Sequence, residues 1–251
     1  MVLKFHYNNI CYFSDNSYIK EEVNAMIKET INKLNSELPA AVKLVAVSKF
    51  HPFEAIEEAY QAGQRIFAES RPQELQAKVR QLEAERPDMS DVQWHFIGHL
   101  QTNKLKMVLP YASLVQSVDS VRLLDAIESW AAANDRKINV LLEPHVAAEQ
   151  TKQGFSPDEV YSVLESAVGG GYPHIVFRGI MGMATFTDDM DVVKGDFAAL
   201  RSIYDRCRFL YPSLSEDFVE LSIGMSDDYP VAIEYGSTMV RIGSMIFGSR
   251  S

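Results

Sequence analysis

Cysteine is nearly absent: only Cys11 and Cys207 occur in 251 residues, one near the start and one inside an expected helix. That scarcity excludes a disulfide framework and a cysteine-based zinc site, and it suits a reducing cytoplasm. Basic charge is also in short supply. With 24 Lys and Arg against 34 Asp and Glu the formal net charge is -10, and no dense run of Lys and Arg offsets it. Nucleic acid is therefore not an expected partner. No apolar stretch approaches the roughly 20 residues needed to cross a bilayer, so no membrane association is expected. The opening residues 1–13 are mildly apolar but are broken by Lys4, His6, Asn8 and Asn9, with no small-residue cleavage site after them. Residues 1–16 are accordingly expected to form a disordered or poorly packed leader. A heptad pattern is missing too, which favours a monomer.

What is present is ordinary globular composition, 47% hydrophobic and 23% charged, in a chain long enough to bury one substantial core. Residues 17–38 read as an amphipathic helix, with Ala25, Ile27, Ile31 and Leu34 roughly on one face and Pro39 just past its end. Short apolar runs follow in alternation with helical stretches. The strand-like runs are KLVAVS (43–48), RIFAES (65–70), QWHFIG (93–98), SLVQSV (113–118), INVLLEPHV (138–146), IVFRGIMGMA (175–184), FVELSIG (218–224) and TMVRIG (238–243). Between them, helices are expected at 53–63, 72–85, near 102–108, at 121–133, 157–168 and 192–210, and a short one at 229–235. The GGG at 169–171 reads as a helix stop.

Eight strands separated by helices imply parallel pairing, and eight such units close naturally into a (β/α)8 barrel. A single domain over 17–251 is expected. Too little chain follows the eighth strand for a full closing helix, so the 17–38 helix is expected to cover that gap. The competing fold is an open doubly wound sheet. Against it, the first strand leads into SKFHP (48–52) and not into a Gly-rich dinucleotide turn.

Working residues of such barrels lie at the C-terminal ends of the strands. That rule selects Lys49, Ser70, His99, Asp119, His145, Thr185, Ser222 and 241–244. Lys49 ends the apolar run LVAVS, which would hold its amine in a weakly solvated barrel mouth. Desolvation frees an amine's lone pair for attack on a carbonyl; the bland alternative is a snorkelling surface lysine. After strand 7 the string LSIGMSDD (221–228) offers Ser222 and Ser226 around Gly224, and after strand 8 the string RIGSMIFG (241–248) offers Gly243 and Ser244. Loops at these two positions recur as phosphate sites, although such glycines also serve merely to turn the chain. Arg241 sits in an apolar run and needs an acceptor inside the barrel: a structural carboxylate, a ligand phosphate or a pyridine nitrogen. His95 and His99 in WHFIGH share a strand face, but no third ligand accompanies them, so no metal site is expected.

At these strand ends the sequence resembles the pyridoxal phosphate homeostasis protein family. The strings that carry the resemblance are LVAVSK (44–49), WHFIGHLQTNK (94–104), TKQGF (151–155), RGIMGMATF (178–186) and LSIGMSDDYPVAIEYGSTMVRIGSMIFGSR (221–250). The resemblance implies a barrel like the alanine racemase N-terminal domain (fold type III among PLP proteins), binding pyridoxal 5′-phosphate (PLP) as a Schiff base on Lys49. It implies Ser222, Gly224, Gly243 and Ser244 around the phosphate and Arg241 facing the pyridine nitrogen, with Ser70 and Met183 as further contacts. An arginine there leaves that nitrogen unprotonated and weakens the ring as an electron sink. Two strings depart from the family. AESRPQE (68–74) has Ser70 where the family commonly has the asparagine of Gly-Glu-Asn, which puts a ring contact by Ser70 in doubt; LLEPHVAAEQ (141–150) lacks the asparagine usual near His145, which is assigned no role.

Three functions remain open at this point. The resemblance implies a PLP-binding protein of vitamin B6 homeostasis, acting in amino-acid and keto-acid balance. The alternative is a PLP-dependent amino-acid racemase or decarboxylase. Racemisation needs a base on each side of the substrate carbon, and alanine racemases take the second from an extra domain that this sequence is expected to lack. The third is a barrel holding another phosphorylated metabolite, with Lys49 attacking a sugar carbonyl. Nothing in composition or spacing shows delivery of cofactor, so apo PLP-dependent enzymes enter as candidate partners only through the resemblance.

Overall fold

Alternation with a period of two decides which way each strand residue faces. In β1 (Lys43–Val47) Leu44 and Ala46 pack outward into the layer shared with the helices, while Val45 and Val47 point into the space the strands enclose. Ala68 of β2 (Ile66–Glu69), Leu114 of β4 (Leu114–Val118), Leu141 of β5 (Ile138–Leu142), Met181 of β6 (Ile175–Met181) and Met239 of β8 (Met239–Ile242) meet them there in a small inner cluster. With β3 (Gln93–Phe96) and β7 (Glu220–Met225) these strands form a closed parallel barrel in sequence order. Closure comes from β1 pairing with β8, Lys43 against Met239 through Ala46 against Ile242, which disposes of the open-sheet alternative. This computed structural model describes residues 15–146 and 154–248. The expected leader, apart from its last two residues, and most of TKQGF lie outside the described residues.

Helices cover the outer layer: α1 (Asp15–Glu37), α2 (Phe53–Gln61), α3 (Pro72–Glu85), α4 (Val121–Ala133), α5 (Pro157–Val168), α6 (Met190–Leu210), α7 (Tyr229–Glu234) and the single turn α8 (Ser244–Phe247). Local signals set their ends. Ser156 and Glu159 close α5 with a capping box, and Ser120 accepts from the Leu123 N–H at the start of α4. The expected role of the N-terminal helix holds: α1 buries Ile27, Ile31 and Leu34 and packs on both α2 and α8, where a full eighth helix would otherwise lie. Among the described residues no helix is long and apolar enough to cross a membrane.

Three expected elements are corrected. Strand 5 stops at Leu142 and does not run to Val146; beyond it Phe155 N–H donates to Glu143 O and His145 N–H to Phe155 O, so the chain pairs with a returning segment. Strand 6 stops at Met181, three residues short of the expected end. The helix near 102–108 is a 3-10 segment, Thr102–Met107, short enough for the tighter i→i+3 pattern.

The register between β5 and β6 shifts by one residue, Val140 facing Phe177 and Leu141 facing Gly179. Gly179 sits at that shift with φ of 147°, and a Cβ there would lie 1.8 Å from Glu220 O of the neighbouring strand. Neither a backbone carbonyl nor a left-handed φ can yield cheaply. Gly179→Ala is expected to destabilise the protein by about 3 kcal/mol or more, read from the midpoint of urea unfolding.

Candidate functional site

Continuing the alternation of β1 past Val45 and Val47 places Lys49 on the inner side, at the C-terminal mouth of the barrel. There it lines a cavity of about 270 Å³ together with His51, Met181, Met183, Ser226, Arg241, Gly243 and Ser244. Of the residues expected to act, this cavity brings together Lys49, Met183, Arg241, Gly243 and Ser244. The loops after β7 and β8 touch through Gly243 N–H, which donates to Ser226 Oγ at 3.4 Å. Met225 N–H donates to Asp228 Oδ1 at 2.5 Å, which fixes the turn carrying Ser226.

Two expected phosphate residues lie elsewhere. Ser222 is fully buried within β7 and is not among the residues lining the cavity. Its hydroxyl accepts from Arg241 Nη1 at 2.8 Å and donates to Gln116 Oε1 at 2.7 Å, so its single proton is committed inside the barrel. The structure thus places Ser222 inside the barrel, and Ser226, four residues further along the chain, at the cavity. Gly224 has φ of 94° and leaves room for α7, since a Cβ would lie 2.6 Å from Ala232 Cβ; it shapes the loop and does not line the cavity. Ser70 is not a lining residue either.

Arg241 answers the question of its acceptor. Nη1 donates to Ser222 O at 2.6 Å and to Ser222 Oγ, and Nη2 donates to Gly182 O at 2.9 Å. Three of the five guanidinium donors are thereby used. Nε and the second Nη2 hydrogen have no acceptor among the described residues, and the side chain borders the cavity. Burial draws the guanidinium down to about 10, with Glu143 and Asp228 opposing that shift, so it is a cation at neutral pH.

Because arginine can only donate, it orders the polar chain behind it. Ser222 must donate to Gln116 Oε1, so Gln116 Nε2 faces His95 Nδ1 at 2.9 Å and His95 carries its proton on Nε2. Burial and the nearby Lys43 charge push His95 down to about 3, so it is neutral. His99 lies apart at the barrel rim, its Nδ1 3.0 Å from Asp119 Oδ2. Among the described residues no group of three or more His, Cys, Asp or Glu is placed to hold a metal. Thr185 sits beyond β6 with its N–H donating to Asp196, and His145 makes a backbone bond to Phe155.

Sequence reasoning missed Glu143, Gln116, Glu69 and Lys78. Glu143 directly follows β5, and burial together with the Asp119 charge pushes it up to about 7 against the pull of Arg241. For Gln116 and Glu143 the only available signal was a polar side chain at an inward position of a strand, or its continuation, expected to be buried on both faces.

The alanine racemase N-terminal domain model matches residues 24–251. Pyridoxal phosphate homeostasis protein of Haemophilus influenzae is 34% identical over 93% of this chain and 93% of its own length. The chain belongs to the pyridoxal phosphate homeostasis protein family. The human pyridoxal phosphate homeostasis protein is 37% identical over 91% of the chain and 84% of its own length. PipY of Synechococcus elongatus PCC7942, solved with PLP bound, superposes with a TM-score of 0.80 at 33% identity, covering 88% of this chain and 100% of that one. Alanine racemase from E. faecalis superposes with a TM-score of 0.63 at 16% identity over 88% of this chain and 57% of its own length, a likeness of fold.

Proposed function

We propose that this protein holds PLP as a Schiff base on Lys49 and serves intracellular PLP homeostasis, sequestering the aldehyde more than using it. The observation that carries the reading is one cavity lined together by Lys49, Arg241 and the hydroxyl-bearing loops at Ser226 and Gly243–Ser244. The residues fit the cofactor's three polar ends. Lys49 takes the aldehyde carbon, Ser226, Gly243 and Ser244 take the phosphate, and Arg241 faces the ring nitrogen. Small residues in the two loops let backbone N–H groups reach the phosphate, and the first N–H groups of a helical turn have no carbonyl partner of their own.

Bound PLP would supply an electrophilic aldehyde and an electron-withdrawing ring. Arg241 limits the second property, because a buried cation that can only donate keeps the facing nitrogen unprotonated. That favours holding the cofactor over stabilising carbanions. The reading carries with it a cytoplasmic monomer, with PLP as its ligand and apo PLP-dependent enzymes as partners at the open mouth.

The test is to add PLP to the purified protein, record the visible spectrum, reduce with borohydride and map the modified peptide. A reducible band whose product maps to Lys49 is the expected result. No band, or fixation at another lysine, overturns the reading. Turnover of L-alanine or another amino acid within about 1–1,000 per second would overturn the homeostatic part alone.

A further inference from the structure

A lysine that must present its amine to one atom of a bound molecule needs its backbone held, and the two peptide units that carry Lys49 Cα are both tied to one buried cluster. The unit before it ends in Ser48 O, which accepts from Lys78 Nζ at 2.8 Å. The unit after it ends in Phe50 N–H, which donates to Glu74 Oε1 at 2.7 Å. Lys78 Nζ also donates to that same Glu74 oxygen at 2.8 Å and to Glu69 Oε1 at 2.7 Å, and Ser48 Oγ donates to Glu69 Oε1 at 2.6 Å. Ser48 N–H donates to Ala68 O, completing the hold on the residue before the lysine.

The cluster is an expensive way to stabilise a fold. Glu69 is fully buried and the Lys78 side chain is 8% exposed. Glu69 Oε2 has no hydrogen-bond partner among the described residues, and burial pushes this carboxyl up to about 7 despite Lys78 and Ser48 pulling the other way. Buried ion pairs of this kind seldom add net stability over apolar replacements. Phe50 also adopts a left-handed φ of 68° without being glycine, a conformation that persists only where its surroundings impose it. Cost and strain both collect at the one turn that carries Lys49.

We propose that Lys78, acting through Ser48 O and Glu74, is a positioning residue that fixes the Lys49 backbone so that its amine meets the PLP aldehyde. This rests on the reading that Lys49 carries PLP. In that condensation a new C=N bond forms as Lys49 Nζ gives up two protons and the aldehyde its oxygen, which leave together as water. A misdirected Lys49 stem would lower the probability of that encounter without touching the residues assigned to the phosphate, so covalent capture and simple binding should respond differently to loss of the clamp.

The test uses the full-length protein with PLP and with pyridoxine 5′-phosphate, which has the same ring and phosphate but an alcohol in place of the aldehyde. In Lys78→Met, affinity for PLP and the rate at which borohydride-fixable product appears are each expected to fall by about 10-fold or more. Affinity for pyridoxine 5′-phosphate is expected to stay within about twofold, which also reports that the variant is folded. If Lys78→Met does not fold, Glu74→Ala removes the Phe50 acceptor from a half-buried position and is expected to show the same split. An equal loss for both ligands would mean that the cluster only supports the fold and would overturn the proposal, as would no loss for either. A wild type that binds both ligands equally and gives no reducible product takes down the Lys49 reading, and the clamp with it.

Discussion

Lys49→Ala is expected to abolish borohydride fixation of PLP and to weaken retention of the cofactor at least about 100-fold, equivalent to roughly 2.7 kcal/mol. The phosphate loops and Arg241 remain in this variant, so weak, fast-exchanging binding should survive. The visible band should revert to that of the free aldehyde. Stability should change little, within about 1 kcal/mol, because Lys49 is half-buried at the mouth and lies outside the buried core clusters. Dialysis against buffer followed by measurement of retained PLP separates the two proteins: the wild type keeps its cofactor and the variant loses it. A variant that kept PLP through dialysis and still gave a reducible product would place the covalent bond elsewhere.

The barrel was legible because each strand is a short apolar run with helical periodicity between it and the next. The limits of that legibility are physical. In INVLLEPHV the sequence stays β-like to Val146, yet the strand stops at Leu142, and only the return of Phe155 to pair with Glu143 and His145 explains why. Lys49 could be found because the inward residues of β1 before it, Val45 and Val47, are apolar and make a polar third member conspicuous. Gln116 and Glu143 could not be found in the same way, and Glu69 faces the helix layer, where Lys78 of α3 meets it. A polar residue at every second position of a strand usually means a solvated sheet face, and only closure of the barrel turns that face into a buried interior. Ser222 and Ser226 illustrate the remaining gap. They are four residues apart, so a period of two alone does not separate them. Position does: Ser222 lies within β7 with its hydroxyl against Gln116, whereas Ser226 follows the left-handed Gly224 into the turn beyond the strand and lines the cavity. Lys78 carried no signal, since a lysine four residues after a glutamate on a helix normally reads as an exposed pair.

Arg241→Met should cost about 3–5 kcal/mol of stability, because removing one partner of a buried charged network leaves the others uncompensated. Methionine approximates the stem, but Ser222 O and Gly182 O lose their donor, and Glu143 and Asp228 lose the cation that offsets their burial. The deficit should depend on pH, and its sign follows from Glu143. Burial raises this carboxyl from 4.5 in the unfolded chain to about 7 in the fold. A raised carboxyl is protonated preferentially in the folded state, so its contribution is fully present below the unfolded value and is lost as pH climbs through the folded one. Wild-type stability should therefore decline between about pH 4.5 and 7 through this group. Without Arg241 the folded value rises further, so the variant goes on losing stability above about pH 7, where the wild type levels off, and the gap between them, constant below about pH 6, widens from about pH 6 to 9. Urea unfolding of both proteins across that range, with Glu143→Gln as the background in which the widening should vanish, measures the coupling directly. A gap that stayed constant with pH would show that Arg241 acts only through its carbonyl contacts and does not set the ionisation of Glu143.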